Sequence, residues 1–168
     1  MAPVYLDPLL GLPLAPWWKR LCAILIDSAI FGVGAVIVFL VVLAPTVKNT
    51  VITQTPGSPP TIPASFWRAY IILWVVILLG QVAYYGALNG SRRGQTVGKM
   101  ALKIAVRDAR TGGPIGFWRG VGRNAITILF DIPFGIPLLL DYLSPLWDKR
   151  RQAWHDHVAH SVVVEVPG

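Results

Sequence analysis

Two nearly uncharged stretches constrain this chain more than any other feature. Residues 21–44 carry a single charge, Asp27, and residues 69–88 carry none. A helix of about 20 apolar residues crosses a hydrocarbon core of roughly 30 Å, so each stretch is read as a transmembrane helix. The rest of the chain agrees. With 54% hydrophobic and 14% charged residues among 168, it lacks the polar surface that a soluble globule needs. The first stretch exceeds the ~7–15-residue apolar core of a signal peptide and follows a Pro-containing leader, so it is expected to be a retained anchor.

A third apolar region, "GFWRGVGRNAITILFDIPFGIPLLLDYLSPL", contains Asp131, Asp141 and the breakers Pro133, Gly135 and Pro137. Prolines remove backbone donors and invite a bend or turn. The region is either one kinked span or a broken pair, 118–132 and 136–146. Lys and Arg in short loops stay on the cytoplasmic side. Four segments with both termini inside place every basic residue but Lys48 and Arg68 in the cytoplasm, whereas a single third span exports Lys149, Arg150 and Arg151. The four-segment reading is preferred, although residues 136–146 are too short to cross alone.

The expected fold is therefore an all-α membrane helical bundle with two firm transmembrane helices and a Pro/Gly-broken third region. One membrane domain covers residues 1–168, with spans near 21–44, 69–88, 118–132 and 136–146. Residues 45–66, rich in Thr and Pro, read as an extended extracytoplasmic loop. Residues 89–117 read as a cytoplasmic loop and 147–168 as a cytoplasmic tail. "ALKIAVRDARTGGPIGF" alternates apolar and polar residues, and "HSVVVEV" is a second β-branched run. A small cytoplasmic β-element pairing the two is expected. The basic residues suit anionic lipid headgroups, and no stacking aromatics or nucleic-acid module accompany them.

Ionisable groups at membrane depth cost several kcal/mol unless paired or hydrated, which singles out Arg20, Asp27, Arg123 and Asp131. Arg20 and Asp27, seven residues apart, share a helix face about 10 Å apart, too far for a direct pair. The third region repeats the scheme with Arg123 and Asp131, so crossed pairs are expected: Arg20 with Asp131, and Arg123 with Asp27. Gln81, Tyr84 and Tyr85 lie in the second span, where they could reach Asp27, but ordinary interfacial placement is the preferred reading for them. The cluster is either an ion-pair lock or a proton or cation site.

Three stretches carry a resemblance. "WWKRLCAILID", "SRRGQTVGKMALKIAVRD" and "KRRQAWHDHVAHSVVV" resemble the signature regions of RDD-family membrane proteins, named for one Arg and two Asp. By this resemblance Arg20 is the family arginine and Asp27 the first aspartate, and the second is Asp131 or Asp156. A cytoplasmic motif of Gly94, Gln95, Gly98, Lys99, Arg150, Arg151, Gln152, His155 and Asp156 accompanies them. The resemblance implies a small multi-pass protein, bacterial in most cases and seated in the cytoplasmic membrane, that transports an ion or small ligand.

The remaining motifs carry less. "SRRGQTVGKM" lacks P-loop spacing and reads as a turn capping an interfacial helix, with Gln95 and Thr96 contributing. "HDHVAH" fits no zinc pattern, and Asp156 is expected to accept from an arginine or cap a turn. No nucleophile stands with a base and an orienting partner, so neither catalysis nor a cofactor is expected. Transport is the leading function. The alternatives are an accessory or scaffolding subunit of a larger complex, packing through Gly32 and Gly34 or Gly120 and Gly122, and an anionic-lipid headgroup binder. A homo-oligomer fits the transport reading.

Overall fold

A computed structural model describes residues 5–53, 62–131 and 135–167. The chain forms two compact units, Ser28–Gly80 on one hand and Met1–Asp27 with Gln81–Gly168 on the other. Two helices, Trp17–Lys48 and Ala64–Gly90, are long and apolar enough to cross a membrane.

Within Ser28–Gly80, helix α1 (Trp17–Val38) passes through a π-helical turn (Phe39–Leu43) into α2 (Ala44–Thr53). The turn has an identifiable cause. Pro45 has no N–H for the carbonyl four residues back, and its ring crowds that carbonyl. The widened turn re-pairs the backbone: Ala44 N–H donates to the Phe39 carbonyl, and Thr46 Oγ1 donates to the Val42 carbonyl at 3.4 Å. Residues 45–53, expected in an extended loop, are consequently helical, while 54–61 of that loop lie outside the described residues. Helix α3 (Ala64–Gly90) opens with a ladder of ring contacts joining Phe66, Trp67, Tyr70 and Trp74.

The packed part of this unit is small. Leu43, Ala69 and Leu73 are buried, with Val38, Val42, Phe66 and Ile77 against them. Val33, Val36, Ile37, Val41, Ile71, Ile72 and Leu79 are exposed. Apolar area left in water costs about 25 cal/mol per Å², so so much uncovered aliphatic surface belongs in lipid or against other helices.

The second unit is built on a sheet. Strands β1 (Ile104–Asp108) and β2 (Ser161–Glu165) pair antiparallel with Val106 opposite Val163, so the two β-branched runs join as expected. The N-terminal segment extends the ladder: Ala15 N–H donates to the Val163 carbonyl at 2.9 Å and Glu165 N–H to the Pro13 carbonyl at 2.8 Å. Side chains cover both faces. Ala15, Ala23, Ile104, Val106, Ile115 and Val163 pack together on one, and Leu14, Ala109, Val162 and Val164 on the other.

Short helices frame this sheet: α4 (Val97–Ala101), α5 (Phe117–Asp131), α6 (Ile136–Leu143) with a 3-10 turn (Ser144–Leu146), and α7 (Trp154–Val158). Helix α6 starts at Gly135, whose φ of 70° suits glycine, with a proline in its first turn. Pro133 lies outside the described residues. At 15 and 8 residues, α5 and α6 fall short of the ~20 needed to cross. Glycines bring α5 onto the end of α3: a Cβ on Gly120 would lie 2.7 Å from the Gly86 carbonyl oxygen. Gly120 therefore packs within its own chain and not on a partner, whereas Gly32, Gly34 and Gly122 face open space.

Candidate functional site

Asp27 is buried, and its carboxylate closes the start of α4. A helix start leaves backbone N–H groups without intrahelical partners, and the positive end of the dipole favours an anion there. Asp27 Oδ1 accepts from the Gly98 N–H at 2.8 Å and from the Tyr84 hydroxyl at 2.8 Å. Its Oδ2 accepts from Thr96 Oγ1 at 2.6 Å. Tyr84 in turn accepts from the Val97 N–H at 3.0 Å, and Thr96 from the Lys99 N–H at 3.4 Å. Three successive amides are thus satisfied.

The glycines of "GQTVGK" make this approach possible. A Cβ on Gly98 would lie 2.1 Å from the Ala23 carbonyl oxygen. Gly94, at φ 61°, receives the Val106 N–H on its carbonyl at 2.8 Å. Gln95 Nε2 donates to the Ile104 carbonyl at 3.0 Å, tying the motif to β1.

Asp156, fully buried, gathers two arginines. Its Oδ2 accepts from Arg20 Nη1 at 3.0 Å, and its Oδ1 from Arg123 Nε at 2.8 Å and Ser161 Oγ at 3.0 Å. It also caps α7 through the Ala153 N–H at 3.2 Å. Burial by itself raises its pKa, but Arg123 and Arg20 outweigh that and hold the carboxyl well below the usual range. Of the two expected crossed pairs, Arg123 with Asp27 gives way to this node, and Arg20 with Asp131 falls on a side chain outside the described residues. Among the described residues no ion pair joins Asp27 to Arg123, because Asp27 is saturated by α4 and Arg123 turns to α7.

His155 continues the network. A guanidinium only donates, so Arg123 Nη2, 2.7 Å from His155 Nε2, makes that nitrogen an acceptor and leaves the proton on Nδ1. Nδ1 then donates to Asp141 Oδ2, and the His155 N–H donates to Asp141 Oδ1 at 2.9 Å. Burial, followed by the charge of Arg123, lowers the His155 pKa, which agrees with a neutral ring.

Lys99 stands apart from these saturated groups. It is buried, and its Nζ donates to the amide oxygen of Asn89. Among the described residues no carboxylate lies within ion-pair distance of it. Burial, then Arg123, pull its pKa well below the ordinary lysine range. Two other buried donors, Arg20 Nε and Asn124 Nδ2, have no acceptor among the described residues.

The other motif residues hold the frame. Arg150 clamps Asp7 through Nε and Nη2 at 2.9 and 3.1 Å and reaches the Ala109 carbonyl at 2.8 Å. Arg151 lies 4.1 Å over the Tyr5 ring. Gln152 Nε2 donates to the Ser161 carbonyl at 2.7 Å. Asp141, Asn89 and Ser161 join the network without having stood out in the sequence. Asp141 is noted there only as a charge within the third apolar region.

The three signature stretches are thus joined by two side chains of α1: Asp27 ties the first to "GQTVGK", and Arg20 ties it to "HD". The RDD family model matches residues 14–160. The chain belongs to the RDD family. Similar proteins include the proline-rich antigen homolog of Mycobacterium tuberculosis, 29% identical over 90% of this chain and 63% of that protein. The proline-rich antigen of Mycobacterium leprae is 27% identical over 89% of this chain and 60% of its own length. Uncharacterized protein YxaI of Bacillus subtilis is 26% identical over 89% of this chain and 96% of its own. This RDD chain spans about three fifths of the mycobacterial relatives. No solved structure matches it.

Proposed function

We propose that this RDD protein moves an ion or small charged solute across a bacterial cytoplasmic membrane, with Lys99 as its exchangeable charge and both termini in the cytoplasm. The observation that carries the reading is the burial of the Lys99 ammonium against an amide oxygen, with no carboxylate at ion-pair distance among the described residues. Asp27 and Asp156 are poor exchangers by comparison. Each carboxylate is already filled by three or four donors. A lysine whose charged form is disfavoured releases its proton readily, so a cation arriving beside it expels a proton and an arriving anion recruits one.

The exposed faces of the two long helices support a pathway completed by a second copy or a larger partner. The same observation favours a second reading, an accessory subunit that packs on partner helices near the open Gly32 and Gly34.

The test uses the full chain in proteoliposomes carrying a pH gradient, with sodium, potassium, chloride or acetate added outside. Wild type is expected to exchange protons with at least one of them, and Lys99→Met, verified as folded, to lose the exchange. Wild-type flux in folded Lys99→Met overturns the role of Lys99. Absence of flux with every solute, together with a stoichiometric partner in a mild-detergent purification, replaces transport with the accessory reading.

A further inference from the structure

A groove of about 660 Å³ opens beside α7, bordered by Pro8, Leu9, Trp147, Lys149, Trp154 and His157. Its size lies within the roughly 300–1,000 Å³ typical of ligand clefts. Trp147, Trp154 and Leu9 are exposed, and Trp147 directly follows the exposed Leu146 that ends the α6 segment. That segment also presents Leu139 and Leu140. The apolar wall of the groove therefore runs on into surface suited to acyl chains.

The charges around the groove are unequally engaged. Arg150 is bound to Asp7, and Arg151 lies over Tyr5. Asp148 accepts from the N–H groups of Arg150 and Gln152, and His157 lies 3.4 Å from its other oxygen. Lys149 has no partner among the described residues, and the indole N–H groups of Trp147 and Trp154 have none either. The groove thus offers three free donors, one of them cationic, on an apolar floor. Phosphate and ester oxygens match the donors, and the floor selects a tailed ligand over a soluble anion.

We propose that this groove is a binding site for a phospholipid with an anionic headgroup, its phosphate on Lys149 and its acyl chains along Trp147 and α6. The site is independent of the transport reading and involves none of its residues.

Native mass spectrometry of the full chain, titrated in detergent with phosphatidylglycerol or phosphatidylcholine, tests it. Wild type is expected to retain one phosphatidylglycerol in preference to phosphatidylcholine. Lys149→Glu should weaken that retention about tenfold while leaving phosphatidylcholine unchanged. Trp147→Ala should weaken both lipids. Lys149 is exposed and uncommitted, so thermal stability should stay at the wild-type value, and Lys149→Gln should give an intermediate loss. Equal retention of both lipids, or full retention by Lys149→Glu, overturns the proposal. A loss as large in Arg92→Glu/Arg93→Glu points to diffuse attraction and also overturns it, as does displacement of the lipid by equimolar inorganic phosphate.

Discussion

Replacing Asp156 by Asn keeps the shape of the side chain and removes its charge, leaving Arg20 and Arg123 as buried cations with about a tenth of each side chain exposed. Breaking a buried ion pair from one side costs about 3–5 kcal/mol. For a chain of this size that corresponds to a fall of roughly 6–20 °C in Tm. Asp27→Asn is much milder. Its remaining oxygen can still accept from Tyr84 and Gly98, and its new amide can donate to Thr96, whose hydroxyl can turn to accept. What is lost is a charge-assisted bond and a helix-dipole contact, about 1–1.5 kcal/mol or roughly 2–6 °C. The assay is thermal unfolding of the full chain in one detergent, followed by tryptophan fluorescence. A further comparison follows from the double node. Exchanging the charges of Arg20 and Asp156 should not restore stability, because it sets Arg123 against a new cation. Equal or greater damage from Asp27→Asn, or rescue by the exchange, refutes the assignment of Asp156 as the central anion.

The structure makes three further predictions. His155 should be neutral with its proton on Nδ1 at pH 6.5, measured by nitrogen NMR of labelled imidazole; its folded pKa is lowered, so the stability it contributes is present above about 6.5 and is lost as pH falls. An imidazolium signal at half intensity there contradicts this. Lys99 also has a lowered folded pKa, so the wild-type Tm should rise from pH 7 toward 10 as the unfolded-state amine deprotonates, and Lys99→Met should flatten that rise. An unchanged slope removes Lys99 as its source. Gly98→Ala, whose Cβ would meet the Ala23 carbonyl, should cost about 1–3 kcal/mol, whereas Gly122→Ala, facing open space on α5, should be neutral or gain up to about 1 kcal/mol; comparison of their melting curves checks both.

Much of the architecture is legible locally. Residues 21–44 and 69–88 are too apolar for anything but membrane-type helices, and a β-branched run such as "SVVVE" can satisfy its backbone and bury its side chains together only in a sheet. That Arg20, Asp27 and Arg123 need partners is equally local, since desolvating a charge is costly wherever it occurs. Which partners they take depends on distance along the chain. Arg20 and Asp156 are separated by 136 positions, and no periodicity links them. The Gly98 N–H at the start of α4 and the Tyr84 and Thr96 hydroxyls occupy both oxygens of Asp27, an arrangement visible only once α4 lies against α1. The same limit hid Asn89 and Asp141, whose neighbours in sequence give no sign of Lys99 or His155. Pro45 shows the converse: its local chemistry predicts a break, and a π-helical turn carries the helix past it. Residue chemistry alone determined which groups must leave water and which cannot do so without a partner. The tertiary structure decided the pairing, because hydrogen bonds and ion pairs act over a few ångströms and only the folded chain brings such distant residues that close.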